Sequence, residues 1–385
     1  MAGAKRVLIT GAAGFVGSHT VDLLVARGGW EIVALDSLDP QVHGENAAPR
    51  FLESHIASGA VRFVRADVRD RAVMGPLVAD CDAILHLAAA VGVGQSMYQP
   101  HHYCDVNIGG TATLMDLLLA APHRVRKMVV ASSMSIYGEG AYRCARCNEG
   151  VTVAERPEAQ LRERRWEHLC PRCGTELTTL NTPETKTLQS TSVYAITKKV
   201  QEELLLVFGR AYRIPVVALR YFNIYGPRQS LSNPYTGVAA IFLGRLMNGN
   251  APTVFEDGLQ SRDFIHVRDI ARANVTALEA ELPADNAQRV YNVGTGERTS
   301  VLDVANTLER GLGTSLGATV THKFRAGDIR HCIADASLIQ RELGFRAAVS
   351  REEGFRELID WSRGEKPVDT FRSSMDELAR HKLVS

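Results

Sequence analysis

Short runs rich in Val, Ile and Leu, at residues 7–10, 31–36, 61–68, 83–88, 127–133 and 216–222, alternate with longer stretches whose apolar residues recur at helical spacing. This rhythm restricts the fold more than any other feature of the chain. Strands separated by helix-length connections pair in parallel, with helices covering both faces of the sheet. The helical patterns run over 15–27, 104–121 and 194–212, and Gly28-Gly29 closes the first as a C-terminal stop. A doubly wound α/β domain is therefore expected over residues 1–223.

Two stretches break the rhythm. Residues 141–176 are charged, carry four cysteines and lie between a strand and a helix, which reads as an insertion. Residues 224–385 open in a region rich in Gly, Pro and Asn and read as a smaller substrate-binding domain, with loops over 230–257 shaping its pocket. From within it, 264–293 is expected to return a helix and a strand to the large domain. Two domains suit 385 residues, more than one hydrophobic core usually organises. Lys and Arg number 44 against 43 Asp and Glu, so no overall field draws the chain to nucleic acid or an anionic membrane. No run of about 18 apolar residues offers a membrane span, and the N-terminal run is too short for a signal peptide. A cytoplasmic location is the expectation.

The turn after the first run reads Thr10-Gly11-Ala12-Ala13-Gly14-Phe15-Val16-Gly17. Glycines there let the backbone approach a pyrophosphate, and the helix that follows presents its N-terminus to the negative charge. A glycine-rich βα turn can also occur with no ligand. Two carboxylates favour the dinucleotide reading. Asp36 ends the second run, where it can accept both ribose hydroxyls and would repel a 2′-phosphate; Asp67-Val68 ends the third, in reach of an adenine amine. The expected cofactor is NAD, not NADP.

Further motifs accompany these: Leu87-Ala88-Ala89, Asn107, Ser132-Ser133-Met134-Ser135-Ile136-Tyr137-Gly138, and Tyr194 with Lys198 four residues on. With the glycine turn, they resemble the extended short-chain dehydrogenase/reductase family, which has a Rossmann fold, over nearly the whole chain outside the insertion. Arg220-Tyr221-Phe222-Asn223, Arg262-Asp263-Phe264 and Arg325 through Asp328 are similar to the nucleotide-sugar epimerase and dehydratase branch. The resemblance implies that Gly11, Gly14, Phe15, Val16, Gly17, Asp36, Asp67, Val68, Leu87, Ala88, Ala89 and Asn107 surround NAD, with Tyr194 and Lys198 at the nicotinamide end. It also implies that Asn223, Arg262, Arg325 and Asp328 hold a nucleotide sugar, that Cys332 bounds the sugar pocket, and that a homodimer forms through the 104–121 and 194–212 helices.

Tyr194 and Lys198 share one helix face, so the ammonium is expected to stabilise the phenolate and bring its pKa toward neutrality. From spacing alone an ordinary surface pair would be the likelier reading. Ser133 changes the balance, because it stands at the carboxyl end of its strand, where ligands sit in open α/β sheets. Removing the 30 residues from Cys144 to Cys173 brings Ser133 and Tyr194 to the separation the family resemblance implies. By that resemblance Tyr194 is the general acid or base at a sugar hydroxyl, Ser133 shares its hydrogen bond and Lys198 also holds the nicotinamide ribose.

Met134-Ser135 follows Ser133 where sugar-nucleotide dehydratases carry Asp-Glu and uronate decarboxylases a Glu. Without that acid the expected reaction is epimerisation at carbon 4 through a 4-keto sugar, which needs one proton-transfer group. A 4-ketosugar reductase also needs no carboxylate and stays as an alternative. So does UDP-glucose/galactose 4-epimerase, and so does an NAD-binding scaffold whose insertion recruits a partner.

Cys144-x-x-Cys147 and Cys170-x-x-Cys173 have the spacing of a zinc ribbon with four thiolate ligands, a closed structural site; Pro171 and Gly174 suit a knuckle turn. Six Arg balanced by five Glu, with one Trp, make it a poor nucleic-acid platform. The insertion and Asp39 to Gly44 resemble a bacterial subgroup assigned as dTDP-L-rhamnose 4-epimerases, which form dTDP-6-deoxy-L-talose.

Overall fold

The computed structural model describes residues 5–44, 47–282, 289–325 and 327–384, so the first four residues of the N-terminal run and 283–288 of the returning stretch lie outside it. Seven strands form one parallel sheet: β1 (Lys5–Thr10), β2 (Trp30–Asp36), β3 (Val61–Arg65), β4 (Ala83–His86), β5 (Lys127–Ser133), β6 (Val216–Tyr221) and β7 (Arg289–Val293). Their order is β7-β6-β5-β4-β1-β2-β3, so the chain runs outward from β1 to one edge, returns, and runs outward to the other. The crevice where the winding reverses lies between β1 and β4.

Alternate residues of the strands feed two separate cores. Val7, Ile9, Leu85, Val129 and Leu219 face one way, where Val21 and Leu24 of α1 (Phe15–Arg27) meet Ile270 and Ala273 of a helix at Val267–Glu279. Leu8, Ile84, Met128 and Val130 face the other, against Leu114 and Leu118 of α2 (Gly110–Ala120) and Leu205 of α3 (Val193–Tyr212). Burial on both faces explains the nearly continuous apolar runs.

Three boundaries differ from the sequence expectation. β3 stops at Arg65, because the Asp70 amide donates to the Asp67 carbonyl and turns the chain before Val68. The pattern at 104–121 is not one α-helix. Cys104–Gly109 winds in a wider π turn before α2 begins at Gly110. The stretch 230–257 is only partly loop, since its apolar run packs as a helix at Val238–Met247.

The excursion after β5 forms its own antiparallel sheet, Glu149–Val151 and Thr178–Leu180 flanking Ala141–Cys144. Pairing of Ala141 with Leu180 carries it four residues beyond 176. Among the described residues, no helix is long and apolar enough to cross a membrane.

Candidate active site and cysteine cluster

The glycine turn is shaped by close approach. Gly11 has φ +71°, and a Cβ there would stand 2.9 Å from the Ala88 nitrogen; on Gly17 it would stand 2.6 Å from Ala12 Cα. Gly14 is different, for its Cβ would meet only the Gly11 carbonyl, at 3.4 Å. Gly14 caps α1 with no side-chain hydrogen bond, and the first turn, with Phe15, Val16 and Gly17, contains no acid. Among the described residues the N–H groups there meet no competing carboxylate, which is what a pyrophosphate requires.

Asp36, nearly buried at the end of β2, accepts from the Ala13 amide at 2.9 Å and the Leu38 amide at 2.9 Å. It therefore ties the glycine turn to the strand end as well as facing the crevice. His43 Nε2 lies 3.7 Å from its Oδ1.

The adenine-side expectation is less well met. Both Asp67 oxygens accept from Arg69, which holds the carboxyl below its ordinary range, and Val68 packs against Gly110. After β4, Leu87 N–H donates to the Thr10 carbonyl and Ala88 N–H to its hydroxyl, laying Leu87, Ala88 and Ala89 beside Gly11. Asn107 is fully buried behind this segment. Its amide bonds both the N–H and the carbonyl of Ala90 and donates to Thr197 Oγ1 on α3. It joins the crevice wall to the helix carrying Tyr194 and Lys198, a bracing position away from the crevice.

That helix is capped twice. Ser192 Oγ accepts from Ala195 N–H, and Ser96 Oγ from Tyr194 N–H at 2.9 Å. Tyr103 meets the Tyr194 ring edge-on, centroids 6.4 Å apart. None of these three was named from the sequence, and Ser96 and Tyr103 lie more than ninety residues upstream.

Ser133 ends β5 with its hydroxyl near enough to the Tyr194 phenol to favour its ionised form. Ser135 occupies the position of the missing acid, and its hydroxyl donates to Ser133 Oγ at 2.9 Å. Below them Glu202 accepts from Ser132 and pairs with Arg220 through two nitrogens, at 3.0 and 2.6 Å.

The expected pull of Tyr194 toward neutrality is not found in the chain alone. Burial pushes the phenol above its ordinary range, and the nearby Ser133 hydroxyl only partly opposes this. The same burial pushes Lys198 down to about 7, with Glu202 opposing, and its ammonium is spent on Gln201 Oε1 at 2.6 Å. With its pKa at about 7 Lys198 is only partly charged near neutrality, so it offers the phenolate less than the fully charged ammonium that the spacing argument assumes.

Asn223 follows β6 and pairs beside Phe264, and its buried Oδ1 has no partner among the described residues, an acceptor a ligand donor could satisfy. Arg262 stands beside Cys332 on paired strands; its guanidinium donates to the carbonyls of Ser261, Ile329 and Arg330. Its Nε has no partner among the described residues. Arg325 pairs with Asp328 at 2.9 Å and lies over the Phe255 ring, so these two predicted residues engage each other. Cys332 is buried, its thiol pushed up to about 12.

The four cysteine sulfurs of the excursion lie within 4.8 Å of one another, with Cys144 to Cys173 at 3.5 Å and Cys147 to Cys170 at 3.9 Å. A tetrahedron of thiolates about 2.3 Å from zinc has edges of about 3.8 Å. Each knuckle closes alike. Asn148 N–H donates to the Cys144 carbonyl and Gly174 N–H to the Cys170 carbonyl, both donors with positive φ, +58° and +71°. Gly174 was legible; Asn148 was not.

A doubly wound sheet with an uncapped glycine turn and a Ser-Tyr-Lys set on one edge defines a dinucleotide-binding α/β protein. The chain belongs to the NAD dependent epimerase/dehydratase family, whose profile matches residues 7–157 and 172–294. The skipped residues lie inside the cysteine-bearing excursion. The chain is 34% identical to the dTDP-L-rhamnose 4-epimerase of Burkholderia thailandensis, over 93% of this chain and 94% of that protein. Among solved structures it resembles UDP-glucose 4-epimerase of Thermotoga maritima with UDP-glucose (28% identity, TM-score 0.73, covering 93% of this chain and 98% of the other). It also resembles that of Thermus thermophilus in complex with NAD (29%, TM-score 0.70, 94% and 100%).

Proposed function

We propose that this NAD-dependent nucleotide-sugar 4-epimerase acts on dTDP-L-rhamnose, forming dTDP-6-deoxy-L-talose. The observation that carries the reaction type is the hydroxyl of Ser135 bonded to Ser133 where an acid would otherwise stand, leaving Tyr194 as the proton-transfer group. One such group suffices when a proton and a hydride leave carbon 4 and return to it. NAD, which the turn from Gly11 to Gly17 and Asp36 would hold, would supply the hydride chemistry. Tyr194 accepts the hydroxyl proton in one half-reaction and donates it in the other, Ser133 holds the same oxygen, and Lys198 orients the nicotinamide ribose. The raised Tyr194 phenol keeps its proton near neutral pH and so is not yet the base that oxidation requires; the positive charge that NAD would bring favours its ionisation.

In this reading the turn from Gly11 to Gly17, Asp36 and Leu87 to Ala89 hold NAD, and Asp36 excludes NADP. Asn223 and the arginines Arg262 and Arg325 hold the nucleotide diphosphate by forked hydrogen bonds. Residues 1–223 with the returning helix and strand form the cofactor domain, and 224–385 the nucleotide-sugar domain. The cysteine cluster is a structural zinc site: four thiolates leave no open position. A homodimer through α2 and α3 is favoured by the exposure of Leu119, Val207 and Tyr212, each more than half exposed. Sedimentation should give a dimer that Val207→Glu dissociates; a monomeric wild type would contradict it.

The substrate follows from likeness to the Burkholderia protein. Incubating the enzyme with dTDP-L-rhamnose, UDP-glucose and UDP-galactose separately and reading products by NMR tests it. Conversion of dTDP-L-rhamnose alone is expected. Conversion of only the UDP sugars would replace the substrate and keep the reaction.

A further inference from the structure

The excursion is bound to the loop that carries Arg325 and supports Arg262, the two arginines assigned to phosphate. Arg156, its side chain almost wholly buried, donates to the Asp328 carbonyl at 3.0 Å, the Trp166 carbonyl at 2.9 Å and both oxygens of Glu256 at 2.7 and 3.0 Å. Glu256, with a non-glycine φ of +51°, also accepts from Arg330 at 2.9 Å. Arg330 in turn holds Glu167 of the excursion at 2.6 Å, and its backbone N–H donates to Glu139 Oε1. The backbone from 328 to 330 is thus fixed from both sides. The 328 carbonyl goes to the excursion, and the 329 and 330 carbonyls go to Arg262. Asp328 itself holds Arg325.

We propose that Arg156 is a positioning residue for nucleotide-sugar binding. Through the Asp328 carbonyl it sets the backbone on which the guanidinium of Arg262 rests and from which Asp328 aims Arg325. The cysteine-bearing module is then a built part of the substrate site, although none of its residues is assigned to touch substrate. This rests on the reading that Arg262 and Arg325 grip the diphosphate.

A surface decoration would have no reason to spend a buried forked arginine on one main-chain carbonyl of that loop. A buried ion pair is weak support for stability but fixes geometry when every hydrogen bond is made. Arg156 makes four, and its planar fork reaches a carboxylate and two carbonyls at once, which a lysine cannot do.

The test uses full-length enzyme with its NAD and metal. dTDP and UDP binding is measured by calorimetry, and KM and kcat with the sugar that is turned over, for wild type, Arg156→Met, Arg156→Lys and Arg262→Met. Arg156→Met is expected to weaken nucleoside-diphosphate binding and raise KM, each by about tenfold, with kcat within twofold and NAD content unchanged; Arg156→Lys should recover part of the loss. A role in folding alone would lower yield and melting temperature without separating KM from kcat. Unchanged affinity and KM in folded Arg156→Met overturns the proposal. If Arg156→Met does not fold, Arg156→Lys decides, since an unaltered KM there overturns it equally. Should Arg262→Met leave diphosphate affinity unchanged, the phosphate reading fails and takes the proposal with it; a loss in Arg262→Met with none in Arg156→Met refutes the proposal alone.

Discussion

At the scale of single residues, the site depends on groups held away from their preferred state. Lys198 is the clearest. Its pKa is about 7 in the folded chain against an ordinary 10.5, so the folded state disfavours its charge. The cost to stability is full below about pH 7 and is relieved as pH rises toward the unfolded value, because the unfolded chain binds the extra proton over that interval. Lys198→Met should therefore abolish turnover yet raise the melting temperature of the NAD-free protein at pH 6. That gain should shrink at pH 9.5; an equal gain at both values would show that burial of the charge is not the cause. The glycines divide by the same kind of argument. Gly17→Ala puts a carbon against Ala12 and should cost about 1–3 kcal/mol by overpacking, whereas Gly14→Ala should fold normally in urea titrations and lose NAD affinity. Both glycines were legible from spacing, as were Ser133, Tyr194 and Lys198. Spacing could not show Lys198 spending its ammonium on Gln201, nor Asn107 turned to Ala90, because both depend on burial and on partners brought by other elements.

At the scale of elements, strands buried on two faces announce themselves as apolar runs, so six of the seven were readable in the first 222 residues, and β7 in its own short run. The excursion was readable only as four cysteines. Its core is little more than Tyr142, Val153, Leu177 and the cysteines themselves, too small to hold a fold without a further tie. In the proposed zinc site, metal binding would be coupled to its folding. Elemental analysis should find about one zinc per chain, and Cys147→Ser should lose it and raise hydrogen exchange across 141–180 while the parallel sheet stays protected. Zinc-free wild-type protein, or exchange unchanged in the variant, would contradict this. The contact of the module with the rest of the chain was not legible, because its partners Glu256 and Arg330 lie 100 and 174 residues beyond Arg156, among ordinary surface-type charges.

At the scale of the whole molecule, the parallel sheet presents the glycine turn, Ser133 and the first turn of α3 along one edge, and the chain beyond Phe222 brings Asn223, Arg262 and Arg325 toward it. In the proposed reading that division of labour makes the chemistry reversible at one carbon: one half would hold the cofactor and the other the sugar by its diphosphate, leaving the sugar free to turn. The central claim is that hydride leaves carbon 4 and comes back to it. The most direct measurement is turnover of dTDP-L-rhamnose carrying deuterium at carbon 4, with product read by NMR and the nicotinamide absorbance followed in the same sample. The account predicts a carbon-4 epimer that retains the deuterium, with no net consumption or accumulation of NADH. Deuterium lost to water, or stoichiometric oxidation of added NADH or NADPH with a 4-ketosugar, would contradict it.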